Sequence, residues 1–274
     1  MRLRARYYQQ FDADHSLDVP AEAYGGWKSA EVDLSSEHTA LAIMHAWDTG
    51  SPETFPGWWR AVEYLPRADA ILRNVFPRLL EATRRAGLRI FHVVGGGSYY
   101  RHLADYTDTV AIAGPHPDPP EAIEPDETLE ALRRFRAEHV FVGRHNEADV
   151  ARGAAALDFA NEARPVPGEM IAENGHQLFA LCRTFGVNHL VYAGFAVNWC
   201  LLLSPGGMAE MARHGILCSV LADATTAVEN RETARRQLAK EIALWRVALA
   251  FGFVFETSDF IKALGEEDPA AACE

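Results

Sequence analysis

The stretch that decides the fold is His189-Leu-Val-Tyr-Ala-Gly-Phe-Ala-Val-Asn-Trp-Cys200-Leu-Leu-Leu203. Leu190 to Ala193 is a short apolar run ending at Gly194, the pattern of a strand buried on both faces of a parallel sheet. After Cys200 the chain runs Leu201, Leu202, Leu203, Met208, Met211 and Ala212 and turns at Gly215, which predicts a helix. Cys200 therefore sits where a strand crosses through a loop into a helix. First-turn N–H groups lack intrahelical partners and favour an anion. Such a setting lowers a thiol pKa and can receive a developing oxyanion. Burial as a small apolar residue is the commoner fate of an unpaired cysteine. Site chemistry, however, gathers at the carboxyl ends of strands in open α/β sheets.

Outward from this stretch, strands and helices alternate. Thr39 to Met44 is a short buried strand, extending towards Ala46. Asp69 to Ala86 has helical apolar spacing, stops at Gly87, and should kink at Pro77. Leu88 to Val94 is a strand ending in Gly95-Gly96-Gly97. Residues 100 to 125 read as a polar loop, with Gly114 to Pro120 a lid or contact arm. Helix 127–137, a brief strand 140–142 and helix 175–185 follow, and 143–172 has no clear pattern. Strand 216–221, a long helix 228–251 with Leu238, Ile242, Trp245 and Leu249 on one face, and strand 252–256 complete the order. This βαβ order predicts a three-layer αβα fold with a central, mostly parallel, Rossmann-like sheet. The domain plan is an N-terminal extension over 1–37, one domain over 38–266 and a disordered tail over 267–274.

Composition narrows the function. The 274 residues carry a formal net charge of -12, which disfavours nucleic acid or an anionic membrane as partner. No apolar run has the length of a membrane span, and no signal peptide is evident. The four cysteines, Cys182, Cys200, Cys218 and Cys273, form no C-x-x-C pair, so a reducing, cytoplasmic setting is expected. Tyr7, Tyr8, Phe11, Tyr24 and Trp27 make the N-terminal arm richer in aromatics than a free segment needs. Together with the 100–125 loop it should pack on its own domain or on a neighbour, in a homo-oligomer.

The order of strand 39–46, strand 88–94, the Gly194-Phe-Ala-Val-Asn-Trp-Cys200 turn, Asp223-Ala224 and Gly252-Phe-Val-Phe-Glu-Thr-Ser258 resembles the isochorismatase-like cysteine hydrolases. That superfamily includes nicotinamidases and N-carbamoylsarcosine amidase. Its signature is a Gly-x-Ala-Thr-x-x-Cys turn, then a helix, a Gly, a strand and Asp-Ala. The resemblance covers about residues 38 to 264. It implies a cysteine nucleophile that cleaves a C–N bond of a small amide or carbamoyl compound through a thioester. Dimers or tetramers are common in the family. The resemblance also implies a cis peptide before Ala196, with the N–H groups of Ala196 and Cys200 facing the oxyanion. Val197 stands where the signature has Thr.

The chain departs from the family pattern at two catalytic positions. The family's first strand usually ends in Asp-x-Gln, but here the matching residues are His45 and Trp47. The family lysine should fall between 140 and 175, a segment without lysine that offers Arg144, Arg152, Arg164, Glu169 and Glu173. Where family members with a metal place Asp-x-His, this chain has Gly95-Gly-Gly-Ser-Tyr-Tyr100, so neither metal nor cofactor is expected. An imidazole beside a thiol can take its proton, which makes His45 the candidate base. Asp48 takes that role if the chain turns after Trp47, and a hydrogen-bonded core histidine is the bland reading of His45. Trp47, Trp199, Phe195, Tyr99 and His176 are candidates to line a small-molecule substrate site, though packing alone explains many such aromatics. Glu169 or Glu173 could orient the imidazole. The alternative function is a non-hydrolytic relative that binds a small molecule or catalyses another reaction.

Overall fold

A computed structural model describes residues 1–117 and 121–265. Its strands are β1 (Arg2–Gln9), β2 (Gly26–Asp33), β3 (Thr39–Met44), β4 (Trp47–Asp48), β5 (Arg89–Val93), β6 (Asp158–Phe159), β7 (Met170–Ala172), β8 (His189–Phe195), β9 (Leu217–Thr226) and β10 (Val254–Phe255). Eight of them form one sheet in the order β2-β1-β10-β9-β8-β3-β5-β7. From β10 to β7 every pairing is parallel. β4 and β6 pair separately and antiparallel.

β3 and β8 hold the centre because they carry no polar face. All six residues of β3 and all seven of β8 are buried. Ala40, Ala42, Met44, Leu190 and Tyr192 face one apolar cluster, with residues of the helices Gly175–Phe185, Met208–Arg213 and Leu238–Ala250. Leu41, Ile43, Val191, Ala193 and Phe195 face another, with the helices Leu65–Asn74, Phe76–Arg85 and Thr257–Ala263. This period-two division between two helical layers is what a sheet covered on both faces demands. At Gly194 the two strands touch backbone to backbone. Its φ is +120°, and any Cβ there would run into the carbonyl oxygen of Met44.

Several local expectations change. The arm and part of the loop within 1–37 are strands: β1 and β2 pair antiparallel from Arg2↔Asp33 to Gln9↔Gly26, and β1 joins β10 at the sheet edge. Tyr8 packs edge-on to Trp27 and Trp245, so much of the arm's aromatic surface is covered by its own chain. The kink expected at Pro77 is a full break: helices Leu65–Asn74 and Phe76–Arg85 meet at Val75, and Pro77 opens the second. Proline fits a first turn, where its missing N–H is not needed. The 100–125 loop contains the helix Ala104–Ala113. Residues 140–142 are a turn rather than a strand, with a cis Phe141–Val142 peptide, and the patternless stretch holds the helix Glu147–Ala155.

The long helix begins only at Leu238, where Glu229 accepts hydrogen bonds from the N–H groups of Ala239 and Lys240. It buries Ala243, Leu244 and Val247, while Ile242 and Leu249 are exposed, the reverse of the expected face. The sheet side takes Ala243, Leu244 and Val247, while Trp245 is half-buried against Tyr8. Asp118 to Pro120 of the proposed lid, the tail 267–274 and Cys273 lie outside the described residues.

Candidate active site

The order of strands locates the site before any side chain is considered. The chain lays down β3, β5 and β7 outward in one direction, then returns to place β8, β9 and β10 on the other side of β3. The switch point lies between β3 and β8, and ligands in open α/β sheets bind in the crevice beyond the carboxyl ends there. His45 follows the end of β3, and the turn to Cys200 follows the end of β8. Gly95 to Gly97 follow β5, and Glu173 follows β7.

The β8 turn is held almost entirely by backbone. The Phe195–Ala196 peptide is cis. Val197 N–H donates to Thr226 O at 2.8 Å, and the N–H groups of Trp199 and Leu201 both donate to Ala196 O at 3.1 Å. Asn198 clamps the turn to the loop after β9: Nδ2 donates to Val228 O at 2.8 Å, and Oδ1 accepts from Val228 N at 2.9 Å. Thr225 Oγ1 donates to Gly194 O at 2.6 Å. Arg67 braces the same loop through Thr226 Oγ1 and Ala227 O, and Glu63 pairs with Arg67. The N–H groups of Ala196, Asn198 and Cys200 have no hydrogen-bond partner among the described residues, and those of Ala196 and Cys200 are the two that the family resemblance assigns to an oxyanion.

Cys200 is half-buried, whereas Cys182 and Cys218 are fully buried, and burial pushes both of those thiols up to about 12. The helix that Cys200 opens is a single turn, Cys200–Leu203, ended by Ser204 and Pro205. Its dipole is therefore much shorter than the sequence suggests, and the local amides are what remains. The Tyr64 phenol is pushed up by burial and then by the charge of a Cys200 thiolate, which makes Tyr64 a neighbour of the thiol.

No family model matches the chain. Ureidoacrylate amidohydrolase RutB of Serratia proteamaculans is 32% identical over 124 residues, 42% of this chain and 46% of that protein. RutB of Caulobacter segnis is 26% identical over 200 residues, 70% of this chain and 72% of that protein. The chain spans about half the length of the first of these relatives. These similarities are in line with the resemblance of the Cys200 turn to the isochorismatase-like cysteine hydrolases. A cysteine hydrolase from Pseudomonas syringae pv. phaseolicola overlays with a TM-score of 0.47 at 14% identity, over 85% of this chain and 94% of that one.

His45, which the resemblance matches to an aspartate, has φ +50°, so the strand ends at Met44 and the chain turns one residue earlier than simple alternation assumes. Its ring stacks on Trp47, with centroids 4.4 Å apart and planes 14° apart. Burial lowers its pKa from 6.5 to about 4, so the imidazole is neutral at pH 7. Among the described residues, its Nδ1 is the single buried side-chain nitrogen or oxygen without a hydrogen-bond partner. No hydrogen bond joins His45 to Cys200 among the described residues, and burial rather than a thiolate sets the imidazole's pKa. Asp48 is exposed, sits on β4 and accepts from Gly50 N–H.

His45 stands between two clefts. One, about 410 Å³, is lined by His45, Trp47, Asp48, Tyr64, Asn161 and Phe195 among others. The second, about 550 Å³, includes His45, Gly95 to Gly97, Tyr100, Arg101, Glu173 and Asn174. Glu173 accepts from Tyr100 at 2.8 Å and from Arg101 at 3.3 Å. Burial alone would raise its pKa, but hydrogen bonds from Tyr106 and Tyr100 outweigh that and lower it. A carboxylate thus stands in the segment where the resemblance implies a lysine. Glu169 is engaged elsewhere, with His92 at 2.8 Å and Arg84 at 2.6 Å. Burial works against its charge, yet those two bonds hold it at about 2.

The remaining candidates divide. Trp47 donates to Tyr99 Oη at 2.7 Å, fixing both rings beside His45. Phe195 is buried and lies face to face with Phe76 at 6.0 Å, with its edge on the first cleft. Trp199 is 58% exposed. His176 bonds through Nε2 to Ala113 O and packs on His116, so its ring is committed away from both clefts. Arg144 is exposed in the turn before helix Glu147–Ala155. Sequence reasoning missed Tyr64, Asn198 and the Glu63–Arg67 brace. Only Asn198 carried a signal, as a turn-forming residue inside the quoted stretch.

Proposed function

We propose that this chain is a hydrolase that opens a C–N bond of a small amide, ureido or carbamoyl compound, with Cys200 as nucleophile. The observation that carries this reading is that the N–H groups of Ala196 and Cys200, on either side of the turn that ends at the thiol, have no hydrogen-bond partner among the described residues, while those of Val197, Trp199 and Leu201 are bonded. Two fixed donors suit the oxyanion of a tetrahedral intermediate and need no rearrangement when it forms. The relatives named ureidoacrylate amidohydrolases support the substrate class.

Cys200 Sγ attacks the carbonyl carbon, and neutral His45 takes the thiol proton as substrate closes the crevice. The C–N bond breaks as that proton passes to the leaving nitrogen, leaving an acyl or carbamoyl thioester on Cys200. Water then attacks the thioester, giving its proton to His45, and the thiol is restored as the acid departs. Because burial keeps His45 neutral, a resting thiolate–imidazolium pair is not part of this scheme.

The test is a panel of small amides, ureido acids and carbamoyl compounds, followed by ammonia release, with wild type and Cys200→Ala. Turnover confined to wild type supports the reading. Ligand binding without turnover by wild type, with Cys200 labelled no faster than Cys182, would instead favour a non-hydrolytic relative. The missing hydrogen bond between His45 and Cys200 is the observation on that side.

A further inference from the structure

Tyr64 carries a hydroxyl that its own chain leaves without a partner. The ring is half-buried and packs against two apolar clusters, one holding Leu72 and Phe195 and the other Trp58 and Leu65. A tyrosine held in this way ordinarily finds a hydrogen bond for its tip. Others in the fold do: Tyr99 accepts from Trp47, Tyr100 donates to Glu173, and Tyr192 donates to Gly206 O. Tyr64 Oη has no such partner among the described residues. Nor is it sealed in, since the single fully buried side-chain nitrogen or oxygen lacking a partner there is His45 Nδ1. The oxygen therefore opens on the cleft of about 410 Å³ that Tyr64 lines with His45 and Phe195.

The flank of Tyr64 is tied to the same segment that ties down the Cys200 turn. Glu63 accepts from Glu229 N–H at 2.8 Å and from Arg67 at 2.9 Å, and Arg67 donates to Thr226 Oγ1 at 3.0 Å. Thr226 and Val228 in turn hold Val197 and Asn198. Residues 226–229 thus grip the phenol's flank and the nucleophile's turn together. Burial, then the charge of a Cys200 thiolate, then Glu63 push the phenol's pKa up, so near neutral pH it is a donor and not a base. No hydrogen bond joins phenol to thiol among the described residues, so the acceptor must come from outside the chain. We propose that Tyr64 Oη donates a hydrogen bond to the carbonyl group presented to Cys200, as a third donor beside the N–H groups of Ala196 and Cys200, an inference that rests on the hydrolase reading above for its reaction. The proton stays on the phenol, and the bond strengthens as charge gathers on the carbonyl oxygen. Walls such as Trp58, Leu65 and Phe195 make the bond worth more than it would be in water.

The test is Tyr64→Phe, which removes the hydroxyl and keeps the ring. No internal hydrogen bond is lost, so thermal unfolding should stay near wild type. On any amide that wild type turns over, kcat should fall by about 10²-fold, the lower range for losing one donor to an oxyanion, with KM little changed. The pH–rate profile should keep its wild-type shape, because the phenol does not titrate with the thiol or the imidazole. Equal kcat in the two proteins overturns the inference, and so does a shifted profile, which would make the phenol an acid or a base. A wild type inactive on the whole panel removes the hydrolase reading. Whether the hydroxyl serves a carbonyl beside Cys200 is then read from alkylation of that thiol. Iodoacetamide presents a carbonyl oxygen and methyl iodide does not. Tyr64→Phe should slow iodoacetamide by about 2- to 10-fold, the worth of one neutral hydrogen bond, and leave methyl iodide unchanged. Unchanged rates with both reagents, or an equal loss with both, overturn the inference.

Discussion

β3 and β8 lie side by side and stop at the same edge of the sheet, yet they end in different ways. β8 leaves through a turn fixed by bonds from Val197, Trp199, Asn198 and Thr225, with the amides of Ala196 and Cys200 unbonded among the described residues. β3 leaves through a left-handed residue, His45, which is half-buried, with a neutral imidazole whose buried Nδ1 has no partner among the described residues. One end is held by backbone bonds, and the other presents a side chain. Backbone-made features tolerate changes of side chain, whereas chemistry carried by a side chain such as His45 changes with a single residue.

The sharpest break of this comparison is at the thiol. Cys200→Ala should abolish turnover while leaving thermal unfolding near wild type, because Cys200 is only half-buried. In the intact protein a thiol probe should label Cys200 well before Cys182 and Cys218, whose thiols burial has pushed up to about 12. Equal labelling rates in the folded state would remove the nucleophile. At the β3 end, His45→Ala should lower kcat/KM by about 10²–10⁴, the range for losing a general base. Asp48→Ala should change it little, since Asp48 is exposed and bonded to Gly50. The reverse pattern would pass the base to Asp48.

How much of this was legible follows the same division. The quoted stretch located β8, the turn and Cys200, because a run of apolar residues, a glycine and a cysteine carry their meaning in local order. The parallel sheet followed from alternation. The helix in 104–113 and the strands in the arm were missed. Ala104 to Ala113 mixes apolar and polar residues without a clear stripe, and β1 becomes a strand through pairing with β2 and β10. Partnerships across the sheet were equally hidden. Glu169 lies 77 residues from His92, and Arg67 lies 159 from Thr226. No spacing rule reaches that far. The positive φ at His45 was invisible too, since strand alternation assumes the strand continues.

Asn198 tests whether the β8 turn is set by its clamp. Asn198→Ala removes two hydrogen bonds and leaves both backbone groups of Val228 unpaired, a cost of about 1–3 kcal/mol. Chemical denaturation should show that loss. If the clamp also aims the two free amides, kcat should fall while KM moves little, because the amides act on the intermediate more than on the ground state. Unchanged kcat with the stability loss present would make Asn198 a purely structural tie.

The last expected effect concerns acid stability rather than turnover, and it separates the two strand ends by titration. His45 and His189 are both lowered by burial from 6.5 to about 4. Between those values the unfolded chain binds protons that the folded chain does not, so stability rises with pH across that window. Read downward, full stability holds above about pH 6.5 and declines towards pH 4, by on the order of a few kcal/mol for the two together. Glu169 behaves differently: its pKa is lowered to about 2, so its contribution persists through this window and is lost only as pH falls from 4.5 through that value. Urea midpoints measured from pH 7 to pH 4 should therefore slope downward. His45→Gln, which cannot take up a proton, should flatten part of that slope and leave the part belonging to His189, which is bonded to Ser219 at 2.8 Å. A midpoint that is level across the window in wild type would mean that His45 accepts a proton in the folded state. The β3 end would then be as open to solvent as the β8 turn is closed, and the neutral-base reading of His45 would fall with it.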